Sequence, residues 1–263
     1  MPRPTLAKIL QVAQDRVLAL TDRSRELERQ AAAAPEPPSF RRALEGPTVG
    51  VIAEVKRRSP TVGPIREDLD PERHAEAYAR GGAVAISVLT EEPHFGGSLH
   101  DLTSVARAVR LPVLRKDFIV HDLQVVEARA AGAAAVLLIA RLLEPAALQR
   151  LAGTARAHGL GVLIEVHTRA ELDHALAAEP TAVGVNSRDL ATFAVHLDLA
   201  ERLVGQVPPG IPAIAESGIE ARVDVERLAA AGADLVLVGT AVARTDDPAA
   251  AVRALVGVPR RGR

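Results

Sequence analysis

The sequence contains no cysteine and no tryptophan, and among its 263 residues only one tyrosine and four phenylalanines. Without cysteine there is neither a disulfide nor thiolate chemistry, which suits a reducing cytoplasm. With so few rings the core has to be aliphatic, and the stacking platforms used by many nucleic-acid binders are missing. An excess of one charge is missing too. The 32 Lys and Arg residues nearly cancel the 33 Asp and Glu, leaving a formal charge of −1. No global field therefore draws the chain to nucleic acid or to an anionic membrane, and any anion site must be local. The basic N-terminus is followed by no apolar stretch of the signal-peptide kind. The longest apolar run, Ala130 to Ala140, is far too short to span a bilayer. The expectation is a soluble, cytoplasmic protein with no nucleic-acid or membrane partner, acting as a monomer or a weak homo-oligomer.

What the chain does contain is a repeated pattern. Ala79–Leu89 (ARGGAVAISVL), Ala128–Ile139 (ARAAGAAAVLLI) and Leu228–Gly239 (LAAAGADLVLVG) each read as the end of an Ala-rich helix, a Gly stop and a short β-branched run. Runs apolar on both faces belong to parallel strands covered by helices. Eight such strands are predicted: Val49–Glu54, Ala83–Leu89, Pro112–Lys116, Ala134–Ile139, Gly161–Val166, Thr181–Asn186, Ile211–Glu216 and Asp234–Gly239. Helical patterns separate them, and eight βα units in a chain of this length predict a (β/α)8 barrel. No GxGxxG follows the first strand, which argues against an open dinucleotide-binding sheet.

Residues 1–47 read as an N-terminal helical extension, 48–257 as the barrel and 258–263 as a basic tail, together one domain. In the extension Thr5 is a candidate N-cap, and Leu6, Ile9, Leu10, Ala13, Val17 and Leu20 recur at helical spacing. Ala31–Pro38 ends the helical stretch, and Ser39 can cap a short helix before Gly46.

In a barrel, polar residues at the strand C-termini face the active site. Glu54 and Lys56 end the first strand, Lys116 the third, Glu165 the fifth, Asn186 and Arg188 the sixth, Glu216-Ser217-Gly218 the seventh and Gly239-Thr240 the eighth. Taken singly, such residues are usually solvated loop positions. Glu165, however, interrupts the run Ile164-Glu165-Val166, where burial without a partner is costly, and charges recur at equivalent depth in four strands. Ser217-Gly218 and Gly239-Thr240 place small residues in the two loops where this fold usually binds phosphate. The eight histidines show no metal-ligand spacing, so a surface position is the default for each and no catalytic metal is expected.

These residues fall into motifs: Glu54-Val-Lys56-Arg-Arg-Ser59-Pro60, Ser87-Val-Leu-Thr90-Glu, Phe95-Gly-Gly-Ser98, Arg115-Lys116-Asp-Phe118, Leu138-Ile-Ala, Ile164-Glu165-Val-His, Gly184-Val-Asn186-Ser-Arg188-Asp-Leu190, Ala215-Glu216-Ser217-Gly218-Ile and Leu237-Val-Gly239-Thr240. In order and spacing the series resembles the indole-3-glycerol phosphate synthase family, barrel lyases of tryptophan biosynthesis, over nearly the whole chain. The resemblance implies that 1-(2-carboxyphenylamino)-1-deoxyribulose 5-phosphate is closed to indole-3-glycerol phosphate with loss of CO2 and water, without a cofactor. It implies Lys116 as the general acid at the ketone and Glu165 as the general base of the dehydration. Lys56, near Glu54, matches a lysine that contacts substrate and serves as acid when hydroxide leaves; Glu54 and Asn186 complete the catalytic set. Ser59, Arg188, Phe95, Phe118 and Leu190 match substrate-binding positions, and Ser217, Gly218, Gly239 and Thr240 the phosphate site.

Two expectations concern charge. Two lysines in one pocket repel, so at least one should have a lowered pKa. A substrate carrying carboxylate and phosphate should meet a net cationic mouth. Two departures from the family pattern also stand out: Ser187 where Asn is common, and His94 where an aromatic is common. A phosphoribosyl isomerase barrel would need one acid and one base, commonly Asp or Cys, which fits two strand-end lysines and no Cys less well. A non-catalytic barrel would not require Lys56, Lys116 and Glu165 together.

Overall fold

A computed structural model describes residues 6–60, 62–189 and 194–262. Eight parallel strands close into a barrel in the order β1-β8-β7-β6-β5-β4-β3-β2 and back to β1. They are β1 Gly50–Val55, β2 Ala85–Leu89, β3 Val113–Lys116, β4 Ala135–Ile139, β5 Gly161–Val166, β6 Ala182–Asn186, β7 Ala213–Glu216 and β8 Leu235–Val238. Helices separate successive strands, so the expected (β/α)8 architecture is the observed one. Each predicted strand boundary falls within two residues of the observed one.

Alternation along each strand sorts its side chains into two layers. Val162, Ile164 and Val166 of β5 join the cluster between sheet and helices, while Leu163 joins the cluster inside the barrel. Val51, Ala53 and Val55 of β1 likewise face the helices, and Ile52 faces inward. The same alternation carries Glu54, Lys116, Glu165, Asn186 and Glu216 inward at the C-terminal ends. Register keeps them level: Glu165 is paired with Gly184, and Asn186 with Glu216.

The extension forms α1 Leu6–Thr21, α2 Ser24–Ala33 and the short α3 Phe40–Ala43. Ile9, Ala13 and Leu20 are buried, as their helical spacing predicts, while Thr5 lies outside the described residues. The helical stretch is two helices, and it runs on to Ala33, past the Ala31 at which its end was expected. Ser39 does cap α3, its hydroxyl accepting from the amide of Arg42 at 3.3 Å. Phe40 and Leu44 then plug the interior cluster. A Cβ at Gly161 would crowd the Phe40 ring, so that glycine makes room for the plug. Among the described residues no helix is long and apolar enough to cross a membrane.

Candidate active site

The strand C-termini surround a cavity of about 430 Å³. Glu54, Lys56, Ser59, Phe95, Lys116, Phe118, Glu165, Asn186, Arg188, Ser217, Gly218, Gly239 and Thr240 all line it. Residues separated by up to 186 positions in the chain thus converge on one space. Leu190, the remaining candidate, lies outside the described residues.

At the cavity floor the charges form two linked groups. Lys56 Nζ lies 3.0 Å from Glu54 Oε1. Lys116 Nζ lies 3.7 Å from Glu165 Oε2 and 3.7 Å from Glu216 Oε2. Glu216 ends β7 in the sequence motif yet received no role there. Its signal was available, because a carboxylate closes an apolar strand just as Glu165 does.

The pKa directions follow from this crowding. Burial opposes the charge of Lys116, but Glu165, Glu216 and Glu54 outweigh it and hold the ammonium well above its ordinary range. The expectation of a lowered lysine pKa is therefore overturned for Lys116: its near neighbours are carboxylates, and they outnumber the second lysine. Burial and the charge of Glu165 push Glu216 up to about 8, against the pull of Lys116. Glu54 is buried too, yet Lys56 and Lys116 hold it below the carboxylate range.

The expected net cationic mouth is not found either. Five carboxylates (Glu54, Asp117, Glu165, Glu216, Glu220) face four cations (Lys56, Lys116, Arg188, Arg244) around the cavity. Protonation of Glu216 near neutrality brings the two into balance. Among these cations, burial pulls the Arg188 guanidinium down from its ordinary range.

Glycines make this density of charge sterically feasible. A Cβ on Gly184 would collide with Glu216 Oε1, and one on Gly239 with Glu54 Oε1 and the Lys56 ammonium. Beside Gly239 the short helix Thr240–Ala243 presents first-turn amides with no carbonyl partner inside the helix. Across the cavity Ser217 and Gly218 both adopt left-handed backbone, φ +68° and +72°. Ser187 Oγ donates to the carbonyls of Glu216 and Ser217, each at 3.0 Å, and so supports that turn.

One wall is apolar, formed by Leu89, Leu137, Ile139 and Leu237 with the Phe95 and Phe118 rings. The rings lie 6.3 Å apart and tilted by 42°. Phe95 is held by Glu91, whose carboxylate accepts from the amides of His94 and Phe95 at 2.7 and 3.0 Å and lies 2.6 Å from His94 Nδ1. Phe118 is held by Asp117, which accepts from its amide at 2.8 Å. Surface positions do not hold for every histidine: His74 and His167 are buried.

Acids and bases gathered at the C-terminal mouth of a closed parallel barrel, beside an apolar wall, define an acid–base enzyme of the (β/α)8 class. A family model described as indole-3-glycerol phosphate synthase matches residues 6–255. The chain belongs to that family. It is 48 % identical over 231 residues to the indole-3-glycerol phosphate synthase of Mycobacterium avium, covering 88 % of this chain and 85 % of the relative. It is 47 % identical to indole-3-glycerol phosphate synthase 2 of Streptomyces coelicolor, covering 88 % and 90 %. Among solved structures, 3-hexulose-6-phosphate synthase from Salmonella typhimurium matches with a TM-score of 0.62 at 15 % identity, over 79 % of this chain and 96 % of that one. That likeness concerns the fold alone.

Proposed function

We propose that this protein closes 1-(2-carboxyphenylamino)-1-deoxyribulose 5-phosphate to indole-3-glycerol phosphate, releasing CO2 and water, as a step of tryptophan biosynthesis. The observation that carries this reading is the Lys116 ammonium held between Glu165 and Glu216, opposite the Lys56–Glu54 pair and beside the two-ring wall. A cytoplasmic location, with the chain a monomer or a weak homo-oligomer, accompanies it.

The chemistry assigns each group a task. The anthranilate ring lies against Phe95 and Phe118, and the phosphate occupies the loops of Ser217-Gly218 and Gly239-Thr240 with their amides. As the ring carbon attacks the ketone, Lys116 gives its proton to the developing alkoxide. CO2 then departs from the attacking ring carbon and restores the aromatic ring. Lys56 protonates the hydroxyl as it leaves, and Glu165 takes a proton from the methylene carbon as the last double bond forms. An acid or base so placed typically contributes about 10²–10⁴-fold.

The chain has no tryptophan and one tyrosine, so indole fluorescence reports product directly. Adding the anilino sugar phosphate should raise that signal, and Lys116→Ala should abolish it. A folded wild-type protein that gives no signal would remove this reading.

A further inference from the structure

His167 lies two residues beyond Glu165, and alternation brings its ring to the same side of the strand. Its Nε2 is 3.6 Å from Glu165 Oε1, and its Nδ1 is 3.4 Å from Glu171 Oε2. Both ring nitrogens and Glu165 Oε1 are shielded from solvent, and among the described residues none of the three completes a hydrogen bond. Glu171 is itself anchored: Oε2 accepts from the His167 amide at 2.6 Å and Oε1 from Arg141 Nε at 3.0 Å. Arg141 Nη1 in turn reaches Asp189 at 3.1 Å. Side-chain exposure climbs along the series, from 2 % at Glu165 and 4 % at His167 to 14 % at Glu171 and 26 % at Arg141.

A buried imidazole whose two nitrogens each face a carboxylate, at 3.6 and 3.4 Å, is not an apolar filler, because buried polar atoms normally find partners. It is well placed to hold a proton, since imidazole exchanges one near neutrality and either nitrogen can donate or accept. The proposed reaction gives such a residue work. Two protons go to substrate, from Lys116 and Lys56, and one comes back to Glu165, so each turnover consumes one proton.

We propose that His167 is a positioning residue that holds a proton between Glu171 and Glu165 and exchanges it with Glu165, an inference that rests on reading Glu165 as the base. In the charged ring Nδ1–H points to Glu171 and Nε2–H to Glu165. Transfer breaks Nε2–H and forms Oε1–H on Glu165, which passes the proton to Lys116 Nζ 3.7 Å from its other oxygen. Lys116 returns to the ammonium and Glu165 to the carboxylate before the dehydration. The proton Glu165 then takes from the methylene goes back to His167 Nε2, and Lys56 takes the one net proton of the turnover from solvent through the emptied cavity. The charged groups around the ring are Glu165 with Lys116 behind it, and Glu171 with Arg141 and Asp189 behind it. Glu171 remains ionised throughout. Burial works against its charge, but His167 and Arg141 hold it down at about 2.

His167→Gln keeps a donor near the position of Nε2 but carries no proton. Steady-state kinetics on the full chain should show kcat reduced about tenfold or more with KM within about twofold. The high-pH limb of the kcat profile should differ from that of the wild type. Free imidazole should restore part of kcat to His167→Ala. Glu171→Gln removes the charge that faces Nδ1, so it should move the same limb, and it decides the matter should the His167 variants not fold. A wild-type kcat and pH profile in His167→Gln, or an unmoved limb in Glu171→Gln, would overturn the proposal. Glu165→Gln separates the two readings. If it retains full activity, the assignment of the base has failed; if it is inactive while His167→Gln is unaffected, only the role of His167 has.

Discussion

Arg16 of α1 grips Asp117 with both ends of its guanidinium, Nη1 to Oδ1 and Nη2 to Oδ2, each at 3.0 Å. Asp117 is fully buried and follows Lys116 directly. It also receives Nη2 of the buried Arg115 at 3.1 Å and the Thr90 hydroxyl. A residue of the extension therefore braces the backbone on which the proposed acid is carried.

Removing that brace should weaken the fold and the chemistry together. Arg16→Ala leaves Asp117 with one cation, Arg115, in place of two and should destabilise the protein by about 2 kcal/mol, as for a hydrogen bond to a charged group. Urea unfolding would measure this. A drop of several-fold in kcat should accompany it, because Lys116 loses its fixed position. Asp117→Ala should be worse, since it takes the carboxylate from Arg16 and one of two carboxylates from the buried Arg115, which keeps Glu127 at 2.8 Å.

Glu216 makes stability depend on pH. Its folded-state pKa of about 8 lies above that of an unfolded carboxylate, so its contribution is fully present below about pH 4. That contribution fades as pH rises from there to about 8. Glu216→Gln, which imitates the protonated acid, should lack this part of the decline. Denaturation midpoints compared at pH 5 and pH 9 should show the variant gaining on wild type at the higher pH.

Gly184→Ala probes the room beneath Glu216. The added methyl meets Glu216 Oε1, so overpacking of about 1–3 kcal/mol is expected, with kcat reduced at least about tenfold through displacement of the Lys116 partner. Gly159→Ala is the control. Nothing lies within reach of its new Cβ, but its φ of +72° is strained for alanine. About 1 kcal/mol should be lost there with kcat unchanged.

Glu91→Ala removes the acceptor for the amides of His94 and Phe95 and should loosen the Phe95 ring. KM should rise several-fold while kcat changes less, because the ring binds and takes no part in proton transfer. Glu91→Gln, which still accepts through its amide oxygen, should recover most of the loss.

The barrel was legible because both-face apolar runs and Gly helix stops recur with a regular period. Lys116 and Glu165 were legible for a related reason: charges that interrupt such runs have one way to point. Three things were not. The Arg16–Asp117 pair spans 101 positions, and no local pattern announces it. The sign of the lysine pKa shift depends on how many carboxylates share one depth, and that count exists only once the strands are in register. His167 looked like any loop histidine, because nothing beside it in the sequence announces that its ring is buried.

The placement of the rings has a spectroscopic consequence. Phe40 sits in the basal plug, Phe95 and Phe118 at the mouth, and the fourth phenylalanine lies outside the described residues. The single tyrosine, Tyr78, is buried, with its hydroxyl donating to the Glu54 carbonyl at 3.3 Å. Among the described residues, the middle of the barrel holds no chromophore of its own. Near-ultraviolet circular dichroism of the unlabelled protein thus resolves by wavelength: the tyrosine band reports the end of β1, and the contributions of Phe40, Phe95 and Phe118 to the phenylalanine fine structure report the two extremities.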